Sequence, residues 1–184
     1  MKLCMPKNVL DSEIKACAFR LLARREHSRY ELRQKLLLRD YDVALVEDVL
    51  DYMAEEHWQS DERFTENYVR SRINKGYGRL KIQAELQERA VDSSLIAIHL
   101  SQDEDFWFEQ IKQVWQKKFN KSLPKLTAVR GIKVEPERRN AAYGERSSVS
   151  EFANSELMKQ YRFLQSRGFT GEDIKRLWTF IYEK

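Results

Sequence analysis

Apolar residues recur at helical spacing through the first hundred residues and again near the carboxyl end of the sequence. The first stripe consists of Ile14, Cys17, Ala18, Leu21 and Leu22, which follow the i, i+3, i+4, i+7, i+8 pattern of one buried helix face. Similar stripes predict eight further helices, which carry in chain order Leu32 and Leu36, Val46 and Val49, Phe64 and Val69, Ile82 and Leu86, Leu95 and Ile96, Trp107 and Ile111, Leu157 and Leu164, and Ile174 and Leu177. The pattern therefore predicts an all-α fold.

Polar residues that favour helix starts stand directly before several of these stripes. Ser28 with Glu31, and Ser101 with Glu104, have the spacing of a capping box, in which a hydroxyl and a carboxylate satisfy two free N–H groups of the first turn. Single caps are expected at Asp42, Asp92 and Thr170.

One short motif occurs three times along the chain. The pattern Leu-x-x-Arg-x-(apolar)-(cap) begins at Leu36, Leu86 and Leu164, and apolar positions on both sides of it stay in phase. In each copy the apolar residue would fill a joint between two helices, and the cap would begin the second helix. We therefore expect three in-phase helical units, each of which contains a helix-turn-helix joint.

A polar segment from about residue 121 to 155 interrupts the third repeat. It contains Pro124, Pro136, Gly131 and Gly144, and no helical stripe runs through it. A mobile basic loop is favoured here over a short hairpin. The candidate basic residues in and just before this loop are Lys117, Lys118, Lys121, Lys125, Arg130, Lys133, Arg138 and Arg139.

Composition and charge narrow the class of protein. Six Gly and three Pro in 184 residues are too few for an all-β sandwich. The net charge of +4 hides a basic block at 15–39, an acidic block at 40–66 and a second basic block at 112–146. No apolar run approaches the roughly 20 residues of a membrane span, and the start does not fit a signal peptide. We expect a cytoplasmic protein with no membrane partner.

The residues suggest no catalytic centre, no metal site and no cofactor. There is no phosphate-binding Gly-x-x-x-x-Gly-Lys loop, and the two cysteines and three histidines are not clustered. The four tryptophans are interpreted as core residues: Trp58, Trp107, Trp115 and Trp178.

The segment 70–81 is the strongest candidate for binding. Gly76 and Gly78 flank an aromatic residue at the start of a predicted helix, whose free N–H groups favour phosphate or carboxylate. The alternative is structural: Gly76 ends one helix, Gly78 begins the next, and Tyr77 packs in the joint. The cations of the segment are Arg70, Arg72, Lys75, Arg79 and Lys81.

Three stretches of sequence resemble the RecX family of regulatory proteins. They are residues 18–36 (AFRLLARREHSRYELRQKL), 61–72 (DERFTENYVRSR) and 75–86 (KGYGRLKIQAEL), and residues 161–178 fit the third repeat of that family. The resemblance implies three tandem three-helix, helix-turn-helix-like repeats in an elongated, curved arrangement without enzymatic activity. We expect them at 11–58, 59–102 and 103–184, after an N-terminal tail at 1–10. It also implies binding to the RecA filament and modulation, usually inhibition, of its ATPase, strand-exchange and coprotease activities in DNA repair and the SOS response.

The resemblance further implies DNA binding, which we expect to be weaker and salt-dependent, on single or double strands, by a monomer. The candidate residues for contact with RecA or DNA are Arg24, Arg25, Arg70, Arg72, Lys75, Tyr77, Arg79 and Lys81. Two other functions stay open: a general DNA-binding protein that holds phosphates with its basic helices and loop, and a helical adaptor for another protein.

Overall fold

In the computed structural model, residues 7–119 and 148–182 are described, and all regular structure within these ranges is helical. The helices are α1 (Lys7–Leu22), α2 (Arg29–Leu37), α3 (Val43–Glu55), α4 (Asp61–Asn74), α5 (Arg79–Gln87), α6 (Ser93–His99), α7 (Glu104–Phe119), α8 (Ser148–Ser166) and α9 (Gly171–Tyr182). This confirms the all-α prediction. The helix α8 begins at Ser148, so the predicted end of the interruption near residue 155 is wrong.

The helices pack in threes and fall into two compact units. Helices α1, α2 and α3 contact one another, α4 contacts α6, and α7, α8 and α9 form a third group. Unit 1 contains Met1–Lys75 and Ile82–Gln102, and unit 2 contains Gly76–Lys81 and Asp103–Lys184. The first turn of α5 thus belongs to unit 2, although the sequence pattern assigned the whole helix to the second repeat.

The core of the first three helices is the one that the apolar stripes predict. Ile14 and Ala18 of α1, Leu32 and Leu36 of α2, and the buried face of α3 form one cluster of fully or nearly fully buried side chains. In unit 2 the corresponding cluster contains Ile111, Trp115, Leu164, Phe169, Ile174 and Leu177. Burial of these side chains is the main favourable contribution to stability in both units.

The repeated motif forms the same joint in all three places. Its leucine is fully buried in each copy, and the residue just before the apolar position has a positive φ: 60° at Asp40, 52° at Ala90 and 90° at Gly168. The left-handed residue ends one helix, and the residue after the apolar position caps the next through its side chain, as Asp42 does for Ala44 N–H at 2.9 Å. The predicted joint is therefore confirmed.

Substitution of Ala90 by glycine is expected to stabilise the protein by about 1 kcal/mol, because a left-handed conformation strains any residue with a Cβ. Ala84 lies in the interior of α5 and is also exposed, so Ala84→Gly serves as the control. The control should lose roughly 0.5–1 kcal/mol. Urea unfolding of both variants measures the difference, and a loss of stability in Ala90→Gly would show that the strain is not there.

The capping box predicted at Ser101 and Glu104 does not form. The hydroxyl of Ser101 donates to the carbonyl of Ile98 at 2.7 Å, and the cap of α7 is Asp103, whose carboxylate accepts from the N–H of Phe106 at 2.6 Å. Ser101 and Asp103 are both good N-cap residues, but the Ser101 hydroxyl is hydrogen-bonded to the last turn of α6, so Asp103 caps α7. At α9 a complete box forms, since Thr170 N–H donates to Asp173 and Asp173 N–H donates to Thr170 Oγ1.

Candidate functional site

The eight candidate contact residues are divided between the two units. Unit 1 holds Arg24, Arg25, Arg70, Arg72 and Lys75, and unit 2 holds Tyr77, Arg79 and Lys81. Whether each cation can meet a partner depends on the contacts that its charged group already makes within its own unit.

Arg72 has a structural role in unit 1. Its guanidinium lies 2.8 Å from the Glu85 carboxylate and donates to the Tyr68 hydroxyl at 2.8 Å. It also lies 4.9 Å from the centre of the Tyr68 ring, and less than a quarter of the Arg72 side chain is exposed. Burial raises the pKa of Tyr68, which keeps the hydroxyl protonated as a donor to Glu85. Charge reversal at Arg72 would therefore disturb the fold as well as any contact surface.

The other cations of unit 1 are more accessible. Arg25 pairs with Glu31 at 2.7 Å and is half-exposed. Arg70 pairs with Glu66 one turn away, where both side chains are exposed and the pair contributes little to stability. Arg24 and Lys75 are exposed, and no ion pair joins the Arg24 side chain to any residue within 7–119 or 148–182. Arg24, Arg70 and Lys75 are thus the cations of this group whose side chains are exposed together with that of Arg25.

Two N–H groups of the glycine segment are already hydrogen-bonded within unit 2. In unit 2 the Gly78 N–H donates to the Arg167 carbonyl at 2.8 Å, and the Leu80 N–H donates to the Gly168 carbonyl at 3.1 Å. Gly76 has φ +75° just after α4. The positive φ of Gly76 and these two hydrogen bonds favour the structural interpretation of this segment, and the Gly78 and Leu80 N–H groups are not available to an anion.

The side chains of the segment also have partners within unit 2. Arg79 makes two hydrogen bonds to Glu104, at 2.6 and 3.1 Å, and a third to the buried Asp173 at 3.3 Å. The hydrogen bond that Arg79 donates to Glu104 raises the pKa of Arg79 and lowers the pKa of Glu104. The Tyr77 ring lies 5.1 Å from Lys81 Nζ and 5.0 Å from the Arg167 guanidinium carbon. Arg79 thus ties the start of α5 to the first turns of α7 and α9.

Most of the predicted basic loop lies outside the described residues. Lys117 and Lys118 are in the last turn of α7, where cations are favoured by the helix dipole. Lys118 lies 5.8 Å from the Phe163 ring centre. The predictions that fall outside the described residues are those for Lys121, Lys125, Arg130, Lys133, Arg138 and Arg139.

A partly buried polar cluster within unit 1 joins the start of α2 to Arg89, which follows the end of α5. The Glu31 carboxylate receives Arg25 at 2.7 Å and Arg89 at 3.1 Å, and the Ser28 hydroxyl donates to the Arg89 carbonyl at 3.1 Å. Ser28 also caps α2 as predicted by accepting from Glu31 N–H. The carboxylate of Glu31, however, does not return to Ser28, because the two arginines hold it. The sequence pattern identified the cap and missed this cluster.

Glu31 of this cluster and the neighbouring His27, whose Nδ1 lies 3.0 Å from the Arg25 carbonyl oxygen, are expected to make stability fall on acidification. Burial, reinforced by the charge of Arg25, lowers the pKa of His27 below its ordinary 6.5. Burial alone would raise the pKa of Glu31. The Arg25 hydrogen bond and the charges of Arg25 and Arg89 together outweigh burial, so the pKa of Glu31 lies below the ordinary 4.5. In both cases the unfolded chain binds a proton more readily than the folded chain. Stability is then lost below about pH 6.5 through His27, and below about pH 4.5 through Glu31.

His27→Gln should remove the upper part of this pH dependence. The free energy of unfolding of the wild-type chain should fall between about pH 7 and about pH 5, and that of the variant should fall less. Urea unfolding at the two pH values measures both, and equal losses would contradict the role of His27.

The prediction that all four tryptophans are core residues is wrong for Trp58. Trp107 and Trp115 are buried, but Trp58 is 54% exposed and stacks edge-on against Phe19 at 5.3 Å. Trp58 follows the left-handed residue His57, which ends α3. No sequence pattern distinguishes this tryptophan from the buried ones.

Together these observations define an all-α protein built from groups of packed helices. Within the described ranges no group of three or more His, Cys, Asp or Glu could hold a metal ion. None of the helices in those ranges is long and apolar enough to cross a membrane.

Comparison with known proteins identifies the family. Residues 15–53 match the model of the first three-helix domain of RecX, and residues 60–100 match that of the second. The regulatory protein RecX of Legionella pneumophila (strain Corby) is 35% identical over 88% of this chain and 89% of its own length. That of Pseudomonas entomophila (strain L48) is 36% identical over 92% and 93%. This chain therefore belongs to the RecX family of regulatory proteins.

A solved structure supports the fold independently. The crystal structure of RecX from Lactobacillus salivarius superposes with a TM-score of 0.70 over 96% of this chain and 99% of its own, at 15% identity. At that identity the likeness concerns the fold alone.

Proposed function

We propose that this chain is a non-enzymatic regulator of the RecA recombinase that binds the RecA–DNA filament in the cytoplasm. The observation that carries the proposal is membership of the RecX family over about nine-tenths of the chain. By resemblance, the effect is usually inhibitory and extends to the ATPase, strand-exchange and coprotease activities that serve DNA repair and the SOS response. We propose that the chain acts as a monomer.

The charge distribution supports a partner made of both protein and nucleic acid. A RecA filament exposes DNA phosphates and protein surface together, and the chain carries basic and acidic blocks in alternation. In unit 1 the exposed Arg24, Arg70 and Lys75 are suited to phosphate, whereas the acidic block at 40–66 is suited to a basic protein surface. Many weak contacts of this kind would together contribute to the affinity of the chain for the filament.

The second candidate is a general DNA-binding protein. It is favoured by the basic block at 112–146, which has ten Lys and Arg against three acids. Such a protein would hold bare DNA as tightly as the filament, and its affinity would fall steeply with salt because bound cations release counterions from phosphate.

Charge reversal tests the phosphate side of the proposal. Arg24→Glu with Lys75→Glu is preferred to a variant of Arg72, because Arg72 is held by Glu85 and Tyr68. The control is Lys159→Glu with Lys175→Glu, which makes the same change of charge at exposed positions of unit 2. Affinity for bare single-stranded DNA and for the RecA filament on the same DNA is measured at two salt concentrations.

The outcomes separate the two functions. If the chain regulates the filament, the wild-type chain should bind the filament more tightly than bare DNA. The Arg24→Glu, Lys75→Glu variant should bind the filament roughly tenfold more weakly than the wild-type chain. Equal wild-type affinity for filament and bare DNA, with a steep salt dependence for both, would favour the general DNA-binding protein.

A further inference from the structure

Three aromatic side chains are exposed together where α1 meets α3 in unit 1. Trp58 is 54% exposed, and Phe19 and Tyr52 are each 36% exposed. The rings of Phe19 and Trp58 stack at 5.3 Å, and Lys15 Nζ lies 4.2 Å from the centre of the Tyr52 ring. Lys15 and Phe19 are one turn apart on α1, so these four side chains form a continuous surface, here called the aromatic face.

Three carboxylates of α3 and its C-cap border the aromatic face. Asp48 and Glu56 lie four residues before and after Tyr52, and Glu55 lies three residues after it, so all three are on the side of α3 near that ring. All three are exposed, and no ion pair or hydrogen bond joins their side chains to other residues in the described part of the chain. The only cation of the face, Lys15, is already paired with Asp11 at 2.9 Å. The side of the face along α3 is thus negative, whereas beside Trp58 the Arg63 guanidinium donates to the Trp58 carbonyl at 3.1 Å and is paired with Glu26.

This combination selects one kind of occupant. Exposed rings with a negative border attract cations and apolar side chains together, because a cation can meet both the π face of a ring and a carboxylate. A nucleic-acid strand could stack its bases on Trp58 and Phe19, but its phosphates would then face the carboxylates of Asp48, Glu55 and Glu56. A protein segment with basic and apolar side chains has no such conflict.

We propose that the aromatic face docks a basic, apolar segment of the RecA protein in the filament, and not the DNA that the filament carries. This inference rests on the proposed function and adds the surface and the kind of contact. Trp58 is its centre, since a tryptophan that is half-exposed and held by a neighbouring ring is typical of the few residues that carry most of a binding energy. The carboxylates supply the orientation of the partner.

Two variants and two matched controls test the proposal. Trp58→Ala removes the central ring, and its control Ile98→Ala removes an exposed apolar side chain of α6. Glu56→Lys reverses a charge at the position just after the last residue of α3, and its control Glu88→Lys does the same just after α5. Cations are favoured at helix C-termini, so neither lysine variant should unfold the protein. Circular dichroism and urea unfolding verify that all four are folded.

The readout is the affinity of labelled chain for RecA filaments on single-stranded DNA, and for the same DNA without RecA. Trp58→Ala should bind filaments on the order of tenfold more weakly. Glu56→Lys should bind them roughly two- to fivefold more weakly, although its added positive charge would strengthen contact with phosphate. Both controls should stay within about twofold of wild type, and the affinity of Trp58→Ala for bare DNA should be unchanged.

Each other outcome overturns the proposal in a recognisable way. If the wild-type chain binds filaments and both variants bind them equally well, the aromatic face is not the docking surface. The proposed function would still stand. An equal loss of bare-DNA affinity in Trp58→Ala would show that the face stacks bases. A wild-type dimer that both variants dissociate would show that a second copy covers the face. Failure of the wild-type chain to bind filaments more tightly than bare DNA would overturn both this inference and the proposed function.

Discussion

Gly78→Ala is expected to destabilise unit 2 by about 3 kcal/mol or more. A Cβ at Gly78 would lie 2.5 Å from the Gly168 carbonyl oxygen and 2.7 Å from the Phe169 nitrogen, and both atoms belong to backbone that cannot rotate away. Relief of this clash would break the hydrogen bonds that Gly78 and Leu80 donate to the 167–168 turn. The loss is measured by urea or thermal unfolding.

Gly171→Ala is the matched control for that substitution. Gly171 is exposed at the first position of α9, where an added Cβ would meet only the Tyr161 hydroxyl at 3.9 Å. Alanine has the higher helix propensity, so this variant should be neutral or more stable by up to about 1 kcal/mol. Equal stability of the Gly78 and Gly171 variants would show that the two backbone segments are not in contact.

Glu31→Ala is expected to lower the free energy of unfolding of unit 1 by about 2 kcal/mol. The carboxylate is only 16% exposed and holds Arg89 and Arg25, so its removal leaves two partly buried guanidiniums without their acceptor. Because Arg25 precedes α2 and Arg89 follows α5, this carboxylate joins the first and second three-helix domains. The urea unfolding transition should therefore shift to lower denaturant and also become broader, as the two domains lose cooperativity.

Glu66→Ala provides the comparison for the loss at Glu31. It also removes a carboxylate that is paired with an arginine, but here both side chains are about 60% exposed on one helix. Its effect should stay within about 0.5 kcal/mol. If the two variants lose the same stability, the cluster at Glu31 has no special role in joining the domains.

The local features of the fold could be predicted from the sequence because they depend on nearby residues. The buried leucines of the three joints, and the caps at Asp42, Asp92 and Thr170, follow from spacing and side-chain chemistry alone. The error at Ser101 has the same origin: two good caps stand within three residues, and only the path of the chain decides between Ser101 and Asp103.

Contacts between distant parts of the chain could not be predicted in this way. The approach of Gly78 to Gly168 joins residues that are far apart in sequence, and nothing in the Gly-Tyr-Gly pattern distinguishes it from a phosphate-binding loop. Likewise, the partners of Arg72, Arg79 and Arg89 determine which cations are already used, whereas the sequence shows only that they are positively charged. The exposure of Trp58 depends on how α1 and α3 pack, which one sequence does not reveal.

The most direct test of the proposed function is the rate of ATP hydrolysis by RecA on single-stranded DNA as this chain is titrated in. A regulator of the filament should inhibit hydrolysis when present at a small fraction of the RecA concentration, because one bound chain affects many RecA subunits. A general DNA-binding protein would compete for DNA sites instead. Absence of any effect until the chain saturates the DNA would contradict the account.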